Sequence, residues 1–349
     1  MPVQTDRLPV TVVTGFLGSG KTTLLRHLLL HGQQRLAVLV NEFGEVGLDG
    51  ALLRSCGFCP EEEVNGRLVE LANGCLCCTV QDDFLPSMEM LLQRADQIDG
   101  ILIETSGLAL PAPLLSAFSW PEIRSRIRVN GVVTVVNGEA LAAGAVVADP
   151  AALEAQREAD PSLDHAAAID DLFDDQLACA DLVLVSRAEC LKEGDLQRVQ
   201  ERLRPTLRDG TPVIPIARGE ISPDLVLGLN GQHDPHTAEQ EDHDHHDHSH
   251  VAMESVVVEL AGGVNRQRLE DTLRHLVRQP GLVRVKGRLW LPGKARPLEL
   301  QAVGPRLETW FAATGASFSP EQGGLKLVFL GFQLCEEEIR KAVEASVEP

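Results

Sequence analysis

The sequence predicts a doubly wound α/β domain followed by a smaller α+β domain. Strand-like and helical segments alternate along the first two thirds of the chain, a polar stretch ends this alternation, and a second set of strand-like segments follows. We therefore expect an α/β domain over residues 1–227, a flexible linker over 228–252 and an α+β domain over 253–349.

The first domain contains continuous runs of Val, Ile and Leu, which are typical of strands buried on both faces of a parallel sheet. These runs are Val10–Val13, Leu36–Val40, Ile101–Glu104, Val132–Val136, Leu182–Val185 and Val213–Ile216. Between the first two runs, the apolar spacing predicts a helix over Thr22–His31 that ends at Gly32. The alternation of strands and helices favours a doubly wound sheet.

The linker has almost no apolar side chains, so it cannot bury a core. After it, strands are predicted at Ser255–Leu260, Leu282–Leu291, Leu298–Val303 and Lys326–Gly331, and helices at Arg266–Val277 and Glu336–Ala345. This mixture predicts the smaller α+β domain.

The composition excludes some classes of partner. The chain has 349 residues and a formal net charge of −20, which argues against nucleic acid or anionic lipid as a main partner, since both need a basic face. It has no apolar run of about 18 residues, so no membrane span is expected. Without an apolar signal core at its start, we expect a cytoplasmic protein with reduced cysteines that bind metal or do redox work.

A phosphate-binding loop is predicted between the first strand and the first helix. Residues 15–23, GFLGSGKTT, match GxxxxGK[ST] in the required position. Backbone N–H groups and the helix N-terminus would bind a phosphate, Lys21 would reach the β- and γ-phosphates, and Thr22 would ligate Mg²⁺. The nucleotide-binding residues predicted here are Gly15, Gly18, Ser19, Gly20, Lys21, Thr22 and Thr23.

A second acidic motif closes the buried strand that ends at Glu104. In Glu104-Thr-Ser-Gly107 the carboxylate would complete the Mg²⁺ site, and Gly107 would sense the γ-phosphate. Lys21, Thr22 and Glu104 are the predicted catalytic residues. No water-positioning residue is identified from the sequence, so we expect slow intrinsic turnover.

Cysteines are concentrated between these two motifs, in Gly74-Cys75-Leu76-Cys77-Cys78. In an extended segment Cys75 and Cys77 face the same side and can hold one ion, and thiolates favour Zn²⁺, Co²⁺ or Cu⁺. The alternative is a set of small buried thiols. A separate pair, Cys56 and Cys59, is interpreted as incidental or accessory; a metal clip and a redox pair are the alternatives.

The linker is rich in histidine beside Asp and Glu, a composition that binds transition metals loosely. The alternative is a solvated tether. The accessory metal ligands predicted here are His233, His236, His243, His245, His246, His248 and His250.

Four segments, GFLGSGKTT, NEFGEVGLDG, GCLCC and ETSG, resemble the CobW family of P-loop GTPases. The resemblance covers residues 9 to about 217 and the C-terminal domain. It implies a GTP-dependent metallochaperone in which Cys75, Cys77 and Cys78 bind metal. It also implies a switch whose residues are Asn41, Glu42, Gly44 and Asp49.

The base-reading motif departs from the family pattern. Where Asn/Thr-Lys-x-Asp is usual, this chain has Ser186-Arg187-Ala188-Glu189. The Glu189 carboxylate can still accept hydrogen bonds from guanine, and Arg187 keeps the charge with a planar head group. The alternative is that Glu189 is only a surface charge. Gly107, Ser186, Arg187 and Glu189 complete the predicted nucleotide site.

The segment ILIETSGLALP resembles the branch of the family associated with aerobic cobalamin biosynthesis. That resemblance implies delivery of Co²⁺ to cobaltochelatase as the metal-receiving client. A zinc chaperone of the same family is the first alternative, and a metal store or sensor with negligible turnover is the second. The sequence does not exclude a homodimer.

Overall fold

The computed structural model describes residues 7–40, 68–70, 84–159, 169–228, 253–313 and 323–347. The described residues form two compact units, 7–228 and 253–347. Within these ranges, no helix is both long enough and apolar enough to cross a membrane.

The first unit is a seven-stranded sheet with helices between its strands. The strands are β1 (Leu8–Thr14), β2 (Leu36–Val40), β3 (Leu68–Glu70), β4 (Gly100–Glu104), β5 (Ile127–Asn137), β6 (Leu182–Ser186) and β7 (Val213–Pro215). The helices are α1 (Lys21–His31), α2 (Leu85–Gln93), α3 (Pro111–Ala117), α4 (Gly138–Ala142), α5 (Pro150–Ala159), α6 (Ile169–Ala178), α7 (Asp195–Leu203) and α8 (Pro223–Leu227), and a 3₁₀ turn spans Ala188–Cys190.

All seven strands are parallel, in the order β3-β2-β4-β1-β5-β6-β7. The predicted doubly wound sheet is therefore confirmed. Because β1 lies between β4 and β5, the loop that leaves β1 is flanked by the loops that leave both neighbours. The carboxyl ends of parallel strands meet at one edge of a sheet, which is where ligands bind in folds of this type.

Strand β5 begins at Ile127, five residues before the predicted run at Val132. Arg128 and Asn130 interrupt the apolar pattern that a buried strand usually shows. Asn130 is nevertheless buried, and its amide donates a hydrogen bond of 2.9 Å to Thr11 Oγ1 on β1. A satisfied buried amide can thus replace an apolar side chain in the sheet.

Helix α1 begins directly after Gly20 and ends before Gly32, whose N–H donates to Leu28 O at 2.9 Å. Leu24, Leu25 and Leu28 are fully buried against the sheet. The predicted helix and its stop are confirmed, and α1 is anchored with its N-terminus at the loop after β1.

The second unit is a five-stranded antiparallel sheet with two helices, which confirms the predicted α+β class. Its elements are β8 (Glu254–Ala261), α9 (Arg266–Leu276), β9 (Leu282–Trp290), β10 (Leu298–Val303), β11 (Arg306–Phe311), β12 (Gly324–Gly331) and α10 (Glu336–Glu344). The strand order is β11-β10-β9-β12-β8. Strand β11 was not predicted, because it is a partly exposed edge strand that lacks an apolar run.

Candidate nucleotide site

A cavity of about 410 Å³ opens at the carboxyl ends of β1, β4, β6 and β7. Four loops line it, one after each of these strands. They bring together residues that are far apart in the sequence: Gly18, Ser19, Gly20, Lys21, Thr22, Thr23, Glu104, Gly107, Ser186, Arg187 and Glu189. Of the predicted nucleotide residues, Gly15 alone does not line this cavity.

Gly15 is needed for the shape of the phosphate loop. Its φ of 136° lies in a region that L side chains rarely adopt, and an added Cβ would lie 2.1 Å from Val135 O. Gly15 thus lets the loop turn against β5. Beyond the turn, the largely buried Lys21 ammonium donates to Phe16 O at 3.1 Å, which holds the charge over the loop.

The two predicted Mg²⁺ ligands are adjacent although 82 residues separate them in the chain. The Thr22 hydroxyl donates to Glu104 Oε1 at 3.2 Å, and Glu104 is only 6% exposed. A hydroxyl and a carboxylate are oxygen ligands of the kind that Mg²⁺ prefers. The residues present therefore fit the cofactor that the phosphate loop implies.

The loop after β4, residues 104–109, is held against the phosphate loop; we call it the sensor loop. Thr105 N–H donates to Val13 O at 3.0 Å, and the Thr105 hydroxyl donates to Thr14 Oγ1 at 2.9 Å. A Cβ on Gly107 would lie 2.6 Å from Leu17 N, so the two loop backbones are in close contact. Thr105 also lines the cavity, although it was not among the site residues predicted from the sequence.

The loop after β6 also lines the cavity. The buried Ser186 hydroxyl lies 2.6 Å from Ser19 O and 3.1 Å from Val136 O, so it supports the phosphate loop. Arg187 has a φ of 55° and pairs with Glu139 on α4 at 3.0 Å, with both side chains about half exposed. Glu189 follows in the 3₁₀ turn, exposed at the cavity and able to accept hydrogen bonds.

Arg218 and Gly219, after β7, also line the cavity and were not predicted from the sequence. Arg218 has a φ of 52°, and a Cβ on Gly219 would lie 2.9 Å from Thr23 Cγ2. The one feature of the sequence that could have identified these two residues is their position in the loop directly after β7, the last strand of the sheet. A loop at that edge borders the ligand crevice in doubly wound folds.

His27 on α1 anchors the segment that follows Gly219. Its Nε2 lies 2.9 Å from Ile221 O and 3.3 Å from Ile221 N. Burial lowers the pKa of His27 below the ordinary histidine value, and the stacked imidazole of His31 lowers it further. The ring is therefore neutral at pH 7 and serves the packing of this loop.

Several predicted site residues lie outside the described ranges. They are the switch residues Asn41, Glu42, Gly44 and Asp49, the cysteines Cys56, Cys59, Cys75, Cys77 and Cys78, and the accessory ligands His233, His236, His243, His245, His246, His248 and His250. Among the residues that are described, no three His, Cys, Asp or Glu side chains are grouped to hold a metal ion.

Two protein-family models match the chain. The model of the CobW/HypB/UreG nucleotide-binding domain matches residues 9–215, and the model of the cobalamin synthesis protein cobW C-terminal domain matches residues 253–347. Together they cover both compact units.

Full-length relatives match as well. The zinc chaperone CobW of Pseudomonas aeruginosa is 43% identical, covering 99% of this chain and 94% of the relative. The zinc chaperone CobW of a Sinorhizobium species is 39% identical, covering 98% of each. Among solved structures, the Zn(II)-bound YjiA GTPase from E. coli has 25% sequence identity to this chain. The superposition covers 99% of this chain and 100% of that one, with a TM-score of 0.40.

Proposed function

Since the chain belongs to the CobW/HypB/UreG family and is a GTPase, we propose that it is a cytoplasmic metallochaperone that couples GTP hydrolysis to the binding and release of a transition-metal ion. The proposed GTP hydrolysis rests on the cavity in which Lys21 lies beside the Thr22–Glu104 pair. The proposed binding and release of a metal ion is supported by the cysteine-rich GCLCC segment and by the names of the relatives, which are zinc chaperones.

The described residues supply the phosphate-binding and charge-stabilising parts that phosphoryl transfer requires. The phosphate loop and the N-terminus of α1 bind the phosphates, and Lys21 stabilises the charge on the β- and γ-phosphates. Thr22 and Glu104 are the residues that would hold Mg²⁺, which neutralises phosphate charge when bound. Gly107 lines the cavity beside the phosphate loop, where its loop can respond to a γ-phosphate.

We take Zn²⁺ as the first candidate for the cargo. The resemblance to the branch associated with aerobic cobalamin biosynthesis implied Co²⁺, but the two relatives of 43% and 39% identity are named zinc chaperones. Affinity at thiolate sites also favours Zn²⁺ over Co²⁺. Delivery of Co²⁺ to cobaltochelatase stays the alternative, and a receiving client protein is part of both versions.

Tight metal binding should require both the GCLCC cysteines and the nucleotide. With Co²⁺ as a spectroscopic probe, the thiolate charge-transfer band should be strong with Mg²⁺ and a non-hydrolysable GTP analogue, weaker with GDP, and largely lost in Cys77→Ser. Coupling of the two sites should change metal affinity by about 5- to 150-fold, and by linkage GTP affinity by the same factor. Zn²⁺ should displace the Co²⁺ probe, and so remove the band, when it is added at a lower concentration than the Co²⁺ already present.

The matched control for this measurement is Cys335→Ser, which removes an exposed thiol of the second unit. The band should be unchanged in this variant. A band of equal strength without nucleotide would show a passive metal binder and contradict the coupling. An intact band in Cys77→Ser would contradict the assignment of GCLCC and direct attention to Cys56 and Cys59.

The base should be read by Glu189. Its carboxylate can accept two hydrogen bonds from the guanine ring N–H and amino group, an arrangement that adenine does not offer. GTP should therefore bind about 10- to 100-fold more tightly than ATP, and Glu189→Ala should remove most of this preference. Competition of labelled GTP by each nucleotide measures it.

Glu193→Ala is the control for this variant. Glu193 is an exposed glutamate in the same segment between β6 and α7, but it does not line the cavity. It should keep the wild-type preference. Equal competition by ATP and GTP in the wild-type protein would show that Glu189 does not read guanine.

A further inference from the structure

Helix α6 contacts both loops that surround the phosphate end of the cavity, although it does not line the cavity itself. Its fully buried Gln176 side chain donates from Nε2 to Gly107 O at 3.0 Å and to Ala109 O at 3.2 Å. One turn earlier, the Phe173 ring stacks on Phe16 of the phosphate loop, with centroids 5.7 Å apart and planes 11° apart. One helix therefore holds the sensor loop and the phosphate loop at the same time.

The orientation of the Gln176 amide follows from its surroundings. Both neighbouring atoms are carbonyl oxygens, which only accept, so the nitrogen must face them. Gln176 Oε1, on the other side of the amide, is buried and has no hydrogen-bond partner among the described residues. Burial of an unsatisfied acceptor is unfavourable, so a glutamine here is explained by the two bonds that it donates and not by core packing.

These two bonds restrict the part of the sensor loop that faces the nucleotide. The hydrogen bond from Gln176 fixes the Gly107 carbonyl and therefore the plane of the peptide bond between Gly107 and Leu108. Gly107 itself lines the cavity. The Gly107 backbone also lies close to the phosphate loop, since a Cβ added to it would be 2.6 Å from Leu17 N. A rotation of the sensor loop towards Leu17 would therefore bring the two loops into collision. Misplacement of a catalytic loop by about 1 Å can lower a rate by about 100-fold.

We propose that Gln176 is a positioning residue for GTP hydrolysis, which holds the sensor loop in the geometry that acts on the γ-phosphate. It does so through Gly107 and Ala109 and never contacts the nucleotide. The inference rests on the GTPase activity and not on the identity of the metal cargo.

The test is single-turnover and steady-state GTP hydrolysis by full-length Gln176→Met, which keeps the length of the side chain and removes both donors. We expect kcat to fall about 10- to 100-fold, while KM for GTP and the affinity for GDP change by less than about threefold. Uniform weakening of nucleotide binding is a different pattern, in which KM would rise and kcat would stay.

Leu177→Ala is the matched control, because Leu177 is the next residue on α6, is buried in the core cluster that contains Phe173 and cannot hydrogen-bond to the sensor loop. It should lower Tm and keep kcat near the wild-type value. An unchanged kcat in folded Gln176→Met would overturn the proposal. An equal loss of kcat in Leu177→Ala would also overturn it, by assigning the effect to the packing of α6.

If Gln176→Met does not fold, Gln176→Asn decides the question. It keeps the amide but draws it back by one methylene, about 1.5 Å, beyond hydrogen-bond reach of the two carbonyls. The same fall in kcat with an unchanged KM supports the proposal, and a wild-type kcat refutes it.

Discussion

Replacing Lys21 with alanine should reduce GTP hydrolysis by about 100- to 1000-fold, because we propose that Lys21 is the cation that the phosphate loop directs at the β- and γ-phosphates. GTP affinity should fall by about 10- to 100-fold, as expected for the loss of a charge-assisted hydrogen bond. Single-turnover hydrolysis and the binding of a fluorescent GTP analogue measure the two effects.

The fold should survive this change. Lys21 is buried with its ammonium on Phe16 O, so its removal eliminates a desolvated charge and leaves one carbonyl without that partner. Lys192→Ala provides the control, since Lys192 is an exposed lysine of the same unit, and it should hydrolyse GTP at the wild-type rate. Wild-type turnover by a correctly folded Lys21→Ala protein would contradict the assignment of the phosphate loop.

Gly107→Ala should have an effect of similar size on kcat. The added Cβ would lie 2.6 Å from Leu17 N and 3.2 Å from Phe16 C, and both are backbone atoms of the phosphate loop that cannot rotate away. Either the sensor loop or the phosphate loop must therefore shift. We expect kcat to fall about 100-fold, as for other misplacements of a catalytic loop by about 1 Å.

The same substitution at Gly144 separates this steric effect from a general cost of replacing glycine. Gly144 has a φ of 91°, and a Cβ there would meet nothing within 4 Å. Gly144→Ala should destabilise the protein by about 1 kcal/mol through backbone strain and keep its kcat. A Gly107→Ala protein with kcat within about twofold of wild type would show that the contact with Leu17 relaxes without effect on the chemistry.

Gly107→Ala and Gln176→Met act on the sensor loop from opposite sides. The first presses on it from the phosphate loop, and the second releases it from α6. Because both act on one element, their effects on kcat should be less than additive in the double variant. Full additivity would indicate that the two residues act on different steps.

The sequence alone was sufficient for the features that depend on contiguous residues. The buried strand runs, the helix over Thr22–His31 and the phosphate loop could all be predicted, because local backbone geometry and apolar spacing determine them; in the structure the helix begins one residue earlier, at Lys21. The family resemblance, carried by short motifs, was confirmed by the match over residues 9–215 and 253–347.

The sequence motifs had already paired Glu104 with Thr22, but only the tertiary structure showed that Arg218 and Gln176 belong to the same region. The order of strands in the sheet brings Arg218 to the cavity, and the packing of α6 sets Gln176 on the carbonyl of Gly107. No local pattern encodes these contacts, because they depend on which strands become neighbours and on where a helix crosses the sheet. A lone glutamine on an amphipathic helix looks like any other polar residue until its burial and its two carbonyl partners are known.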